Sequence, residues 1–354
     1  MAADAASVGT GLTMEGIEQN PVVYELALDL RWQTSPPDIQ QWITSYHTRR
    51  YGVFSPGADR AWQRLANTVY NCTRDFWSVT KSMVVLRPKL DLLHAGFMPT
   101  SLFYDPSDLV LAWLDLIHAA TTLPMSPSLR YDLVDVTRQV LSNSFSLLHG
   151  DIVESYDNGA LTSLQHATEA AVEVIRDLDH ILSYSEHFML GPRVARARAM
   201  GADEEDADYM EWNLRNQLTL WGPHGTIVDY ASKQWADLIR SYHLPRWRLF
   251  FERLVTCVKE AHAQNQLQRY HGTSSGQGVD LEFDQSEFDA VVFQLEEATH
   301  PLCHNCNLGV GLSVPCVLCM VCLSVFVLSL LVGVCVLSLF VCVCVCVPMW
   351  RPMR

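Results

Sequence analysis

Residues 126–140 read SPSLRYDLVDVTRQV, and the fold class follows from how that stretch must coil. Ser126 before Pro127 is a helix start. A serine oxygen can accept the orphan N–H groups of a first turn, and proline at the first helical position gives up a bond that would not have formed. Leu129, Leu133, Val136 and Val140 follow at spacings of four, three and four, which places them on one face of an α-helix. Residues 160–184 repeat the pattern with Ala167, Ala171, Val174, Leu178 and Leu182. Ser35-Pro36 and Ser55-Pro56 repeat the start signal. Residues 203–221 open on Asp203, Glu204, Glu205 and Asp206, carboxylates suited to the positive end of a helix dipole, and close on Leu218, Leu220 and Trp221. Strand-type alternation is rare from residue 17 to about 298, so the expected class is mainly α, a large all-α domain.

Working outward, the pattern changes towards the C-terminus. Residues 262–285 include His271-Gly272-Thr273-Ser274-Ser275-Gly276-Gln277-Gly278, a polar, glycine-rich run that predicts a loop. A last helix is expected from Ser286 to Ala298, with Phe288, Val291, Val292 and Leu295 on its apolar face. From Leu308 to Val347 no residue is charged. That exceeds the roughly 20 residues that cross a bilayer as a helix, so one reading is a transmembrane segment with Arg351 and Arg354 on the cytosolic side. Cys303, Cys306, Cys316 and Cys319 have zinc-ligand spacing with His304 nearby. They lie among Val, Leu and Ser rather than in polar turns, and no metal is expected there. The alternation of Val and Cys over residues 341–347 is what a repeated GT dinucleotide encodes, and the rest of the tail keeps to residues with T- or G-rich codons. Translated non-coding sequence therefore explains residues 299–354 best, with the membrane helix as the alternative.

Composition narrows the function classes. The net charge of −14 and the isoelectric point near 5.3 exclude a nucleic-acid partner, because phosphate backbones are bound by clustered Lys and Arg. Only Cys72 and Cys257 precede residue 300, so the domain is no disulfide scaffold and at most one bridge could form. Residues 1–14 lack the basic and apolar stretches of a signal peptide. Ten Trp, twelve Tyr and thirteen Phe lie mostly at helical spacing, as core residues do.

A set of short motifs runs through the chain in order. It begins with Met14-Glu15-Gly16-Ile17, Gln19-Asn20 and Val22-Val23-Tyr24. It continues through Arg49-Arg50-Tyr51-Gly52, Val69-Tyr70-Asn71-Cys72, Tyr131-Asp132-Leu133 and Thr137-Arg138-Gln139. Then come Gln217-Leu218-Thr219-Leu220-Trp221-Gly222-Pro223, Asp229-Tyr230, Lys233-Gln234, Pro245-Arg246-Trp247-Arg248-Leu249-Phe250 and Val292-Phe293-Gln294-Leu295-Glu296. Over residues 9–298 this order resembles the C-terminal part of the α-N-acetylglucosaminidase family, family 89 of the glycoside hydrolases.

The resemblance implies an all-α C-terminal domain over residues 35–298, preceded at 1–34 by a remnant of a (β/α)8 barrel, with the tail of 299–354 outside both. It implies a retaining exo-hydrolase without a cofactor, resident in the lysosome, whose partner is the terminal α-linked N-acetylglucosamine of heparan sulfate. Such chemistry needs two carboxylates about 5–5.5 Å apart. The resemblance makes Glu15 the nucleophile and places the acid/base on an earlier barrel strand, in a stretch this sequence does not contain, so the chain by itself is expected to be inactive. It also makes Trp221, Ile227 and Tyr230 walls of the sugar pocket. Read without the resemblance, residues 220–230 are a helix-ending turn with a buried Trp and Tyr. The family has Glu where His224 stands and Asn where Thr226 stands, and neither is assigned a role. Asn71-Cys72-Thr73 is an N-glycosylation sequon, and Cys72 on its own residues is a buried free thiol. Asp203 to Asp208 reads as a solvated helix start, not a metal site. His47, His166, His180 and His262 show no ligand spacing. The competing readings are a membrane-tethered, non-catalytic helical module that binds glycan or a protein partner, and a helical interaction protein with no sugar link. Membrane contact is expected only through the apolar tail, and a homo-oligomer is left open.

Overall fold

Ser126 caps the central helix of the molecule. Its Oγ accepts the Leu129 N–H at 3.1 Å, and the helix it starts, α5, runs Pro127–Asp157, 31 residues. The computed structural model describes residues 9, 11–12, 20–73, 82–95, 98–222 and 227–270. All of them belong to the unit that spans residues 1–307. In chain order the other helices are α1 Pro21–Asp29, α2 Ile39–Tyr51, α3 Pro56–Asn67 and α4 Pro106–Ala120 before α5, then α6 Leu161–Leu182, α7 Leu190–Arg198, α8 Glu204–Leu218 and α9 Leu244–Tyr270. A two-residue antiparallel pair joins β1 His94–Ala95 to β2 Met98–Pro99, with His94 opposite Pro99. The class is mainly α, as the periodicity predicts.

Helix α5 packs on α2, α4, α6 and α9, and for that reason its burial is wider than the single face its apolar spacing suggests. Leu129, Val136 and Val140 are buried, and so are Asp132, Thr137, Ser142, Asn143, Ser144 and His149. Buried polar groups need partners, and these have them. Arg50 of α2 donates to both Asp132 carboxylate oxygens, Nε at 2.6 Å and Nη2 at 2.8 Å, and the Tyr51 hydroxyl adds a third bond at 2.9 Å. Trp62 of α3 donates to that same Tyr51 oxygen at 2.9 Å. Trp113 of α4 donates to Thr137 Oγ1 at 2.9 Å, and Ser142 bonds Gln234 Oε1 at 2.9 Å. Several of the motifs that run through the sequence are thus the pegs that join α5 to its neighbours.

The capping expectations hold at Ser55, whose Oγ accepts the Ala58 N–H, and at Asp203, whose carboxylate accepts the Asp206 N–H at 2.9 Å. Ser35-Pro36 does not start a helix. Pro37 follows, and a residue before proline is driven out of the α region, so α2 waits for Asp38, which accepts the Gln40 and Gln41 N–H groups at 2.9 and 3.1 Å. The expected loop over 262–285 is also corrected, because α9 continues to Tyr270. Residues 262–270 hold Ala, Gln, Leu and Arg, all good helix formers, and no Gly or Pro. The rest of that loop, the helix expected over 286–298 and the tail of 299–354 lie outside the described residues. Among the described residues no helix is long and apolar enough to cross a membrane.

Trp113, Trp235, Trp247, Phe145 and Phe250 are fully buried, in keeping with a core role, whereas Trp32 is 86% exposed. Trp247 of α9 donates to the Val84 carbonyl at 2.9 Å and meets Phe145 of α5 edge-on at 4.8 Å. Cys257 is buried, and Cys72 is half-buried rather than fully buried.

Candidate functional site

The segment leaving α8 is held from both ends. Arg198 of α7 reaches Glu204, Asp208 at 2.6 Å and Glu211 at 2.9 Å, and Glu211 also takes Arg215 at 2.6 Å. Burial pushes the Glu211 carboxyl up, but Arg215 and Arg198 outweigh it and hold it below the ordinary range. This acidic start is a helix cap tied to α7, and among the described residues no group of three metal-ligating side chains forms.

After Leu218 the backbone turns sharply. The Trp221 N–H donates to the Asn216 carbonyl at 2.6 Å, and the Asp229 N–H returns to the Thr219 carbonyl at 2.9 Å. These bonds close the neck of a loop. Trp221 has φ +39°, Gly222 φ +104° and Asp229 φ +60°. Gly222 takes that angle without strain because it has no Cβ. For Trp221 it is a rare conformation. Every non-glycine residue with positive φ among those described lies between 221 and 237. Strain of this kind persists where surrounding contacts over-determine it, and it collects at ligand sites.

The same neck brings two expected pocket residues together. Trp221 and Tyr230 meet edge to face, centroids 5.1 Å apart with planes at 86°, the geometry that aromatic quadrupoles prefer. Both remain partly exposed rather than buried, Tyr230 at 39%. Ile227 is exposed at 44%, and its carbonyl accepts the Tyr230 N–H at 3.2 Å. Glu15, His224 and Thr226 lie outside the described residues. Asn71 is exposed just beyond α3, its N–H on the Thr68 carbonyl at 3.2 Å.

Asp229 packs within a buried group, of which only Asp229 and Arg246 fall within the sequence motifs. Arg246 of α9, with no exposed surface, donates from Nη1 to both Asp229 carboxylate oxygens at 3.0 and 3.1 Å. Its Nη2 donates to His243 Nδ1 at 3.0 Å, and its guanidinium stands 4.3 Å over the Tyr242 ring. Tyr242 and His243 belong to a π-helical turn, Ile239–His243, that leads into α9. The Asp179 carboxylate of α6 fixes the start of that turn by accepting the Asp237 and Arg240 N–H groups at 2.8 and 3.2 Å. Burial, and then the Arg246 charge, hold the His243 imidazole far below its ordinary pKa. The signal in the sequence was two arginines, Arg246 and Arg248, inside the otherwise apolar run 244–251.

Residues 42–300 match the family model described as the alpha-N-acetylglucosaminidase (NAGLU) C-terminal domain, and residues 1–34 match that of its tim-barrel domain. Alpha-N-acetylglucosaminidase of Homo sapiens is 42% identical over 298 residues, 83% of this chain. The chain belongs to the alpha-N-acetylglucosaminidase family. It spans 37% of the human family member's length. A family 89 glycoside hydrolase from Clostridium perfringens shares the fold. In complex with its substrate GlcNAc-alpha-1,4-galactose it superposes with a TM-score of 0.66 at 24% identity, covering 77% of this chain and 30% of that one. In complex with 2-acetamido-1,2-dideoxynojirmycin the values are 0.65, 23%, 77% and 30%. Within the family's helical domain, residues 219–222 and 227–230 thus form a strained, aromatic-lined neck standing on a buried ion pair.

Proposed function

We propose that this chain is the helical part of a retaining exo-α-N-acetylglucosaminidase, which removes terminal α-linked N-acetylglucosamine from heparan sulfate in the lysosome. The observation that carries this reading is the partly exposed Trp221–Tyr230 pair at the neck of a strained loop, in a chain of this family. A pyranose presents apolar C–H faces, and ring faces fixed in advance can hold it without losing side-chain freedom on binding. Ile227 extends the apolar wall. Residues 1–34 complete the barrel in this reading, residues 35–298 form the helical domain, and residues 299–354 belong to neither.

Glu15 attacks the anomeric carbon as the bond to the leaving oxygen breaks, giving a glycosyl-enzyme. A second carboxylate gives its proton to that oxygen, then takes one from the water that releases the sugar. This chain supplies only the first of the two. Purified 1–354 is therefore expected to turn over no aryl α-N-acetylglucosaminide, whereas a polypeptide joining it to a complete barrel is expected to be active. In that enzyme Trp221→Ala should lower kcat/KM at least about tenfold, the factor given by 1.4 kcal/mol of lost contact. Turnover by 1–354 that disappears in Glu15→Gln would overturn the division of labour. Asn71, exposed within its sequon, carries an N-glycan in this reading. Protein made through a secretory pathway should lose mass on N-glycosidase treatment, and Asn71→Gln should abolish the shift.

A further inference from the structure

The geometry points to Asp229 and Arg246 as positioning residues that hold the sugar-facing rings of Trp221 and Tyr230 from inside the protein, a role that rests on the pocket reading above. Asp229 joins both ends of the loop. Its N–H closes the neck on Thr219, its carbonyl accepts the Ser232 N–H at 3.1 Å, and the next residue is Tyr230. Its φ of +60° is one that Asp tolerates better than most residues, though still at a cost. That angle turns the carboxylate inward, where both of its oxygens accept from Arg246 Nη1 at 3.0 and 3.1 Å. Arg246 in turn is fixed by His243 and by the Tyr242 ring, on a helix whose next residue, Trp247, is anchored in the core. The chain of contacts therefore runs from the core through a rigid guanidinium to the backbone between Ile227 and Tyr230. Asp229, Arg246, His243, Tyr242 and Trp247 are all buried, so these contacts lie where solvent and substrate do not disturb them.

Stability and positioning can be separated. Removing one member of a buried pair strands the other charge, but replacing both by uncharged groups is often nearly neutral for stability. In full-length 1–354, Asp229→Asn with Arg246→Met keeps a residue that accepts the left-handed angle and fills the arginine's space with an apolar chain. Its Tm should stay within a few degrees of the parent, while amide exchange over residues 219–222 and 227–232 should quicken about tenfold or more and that of α5 and α6 stay unchanged. The near-UV signal that the parent loses on Trp221→Phe should already be missing. Arg246→Lys, which keeps the charge but not the fork, should show the same local loosening and covers the case in which the double variant folds poorly. Loop exchange and ring signal unchanged in both variants would overturn the assignment. So would exchange that rises equally in α5 and α6, since the pair would then be a general stability element.

In the enzyme completed by a barrel, the double variant should lose kcat/KM by about a hundredfold, the scale of a 1 Å misplacement, with Tm retained. Unchanged kcat/KM at retained Tm would overturn the positioning role. Trp221→Ala with full activity would instead sink the pocket reading and leave the loop measurements standing.

Discussion

Three buried histidines sit where a proton is unwelcome. His47 Nε2 faces Asp59 at 3.1 Å, His149 Nε2 donates to the Lys89 carbonyl at 2.8 Å, and His243 Nδ1 accepts from Arg246. Burial lowers the pKa of all three, and for His243 the Arg246 charge lowers it further. Since each folded-state value lies below the unfolded value of about 6.5, the unfolded chain takes up protons first as pH falls. Their contribution is complete above that value and is lost as pH drops below it, at about 1.4 kcal/mol per pH unit for each histidine fully released. The Asp132, Asp177 and Asp179 carboxyls, raised chiefly by burial, act in the opposite sense. Urea unfolding followed from pH 7 to about 5.5 should therefore show falling stability, with a shallower slope in His243→Gln. A flat profile would show that these rings are not held neutral.

At the scale of the element, the caps give a paired prediction. Ser126→Ala should cost about 1 kcal/mol and Asp38→Ala a similar amount, whereas Ser35→Ala should cost almost nothing because its hydroxyl caps no helix. Chemical denaturation of the three variants checks this, and a costly Ser35→Ala would contradict the start of α2. The same elements show what was legible in the sequence. The starts of α3, α5 and α8 and the apolar faces of α5 and α6 follow from local chemistry within one or two turns. The missed start at Ser35 depends on Pro37 one step beyond Pro36, and the missed end of α9 depends on glycines that begin only at Gly272. The exposure of Trp221 and Tyr230 was legible through family likeness alone, since on their own residues they read as buried. The pairing of Asp229 with Arg246 was not legible, although both residues stand in the motifs. It joins residues 17 apart in sequence through a backbone angle that no spacing pattern encodes.

For the molecule as a whole, the two most extensive helix pairings join neighbours in sequence, α5 with α6 and α3 with α4. Into this arrangement α5 brings side chains for every neighbour, with the Arg50–Asp132 fork tying it to α2. Alpha-helix α9 is different. Its Trp247 closes a bond to the Val84 carbonyl across 163 residues, and its Arg246 locks the loop described above. Contacts near in sequence form before distant ones, because a short loop costs less entropy to close. The consequence is an order in time. Helices α2 to α6 can dock while the chain is still leaving the ribosome, and the Trp221 and Tyr230 rings can be set only after residue 247 has emerged. Pulsed hydrogen exchange during refolding should find α5 and α6 protected before α9 and the 219–232 loop, and simultaneous protection would refute that sequence of events. A nascent chain stopped short of α9 would thus carry nearly all of its helical body while Asp229 still lacks the arginine that holds it.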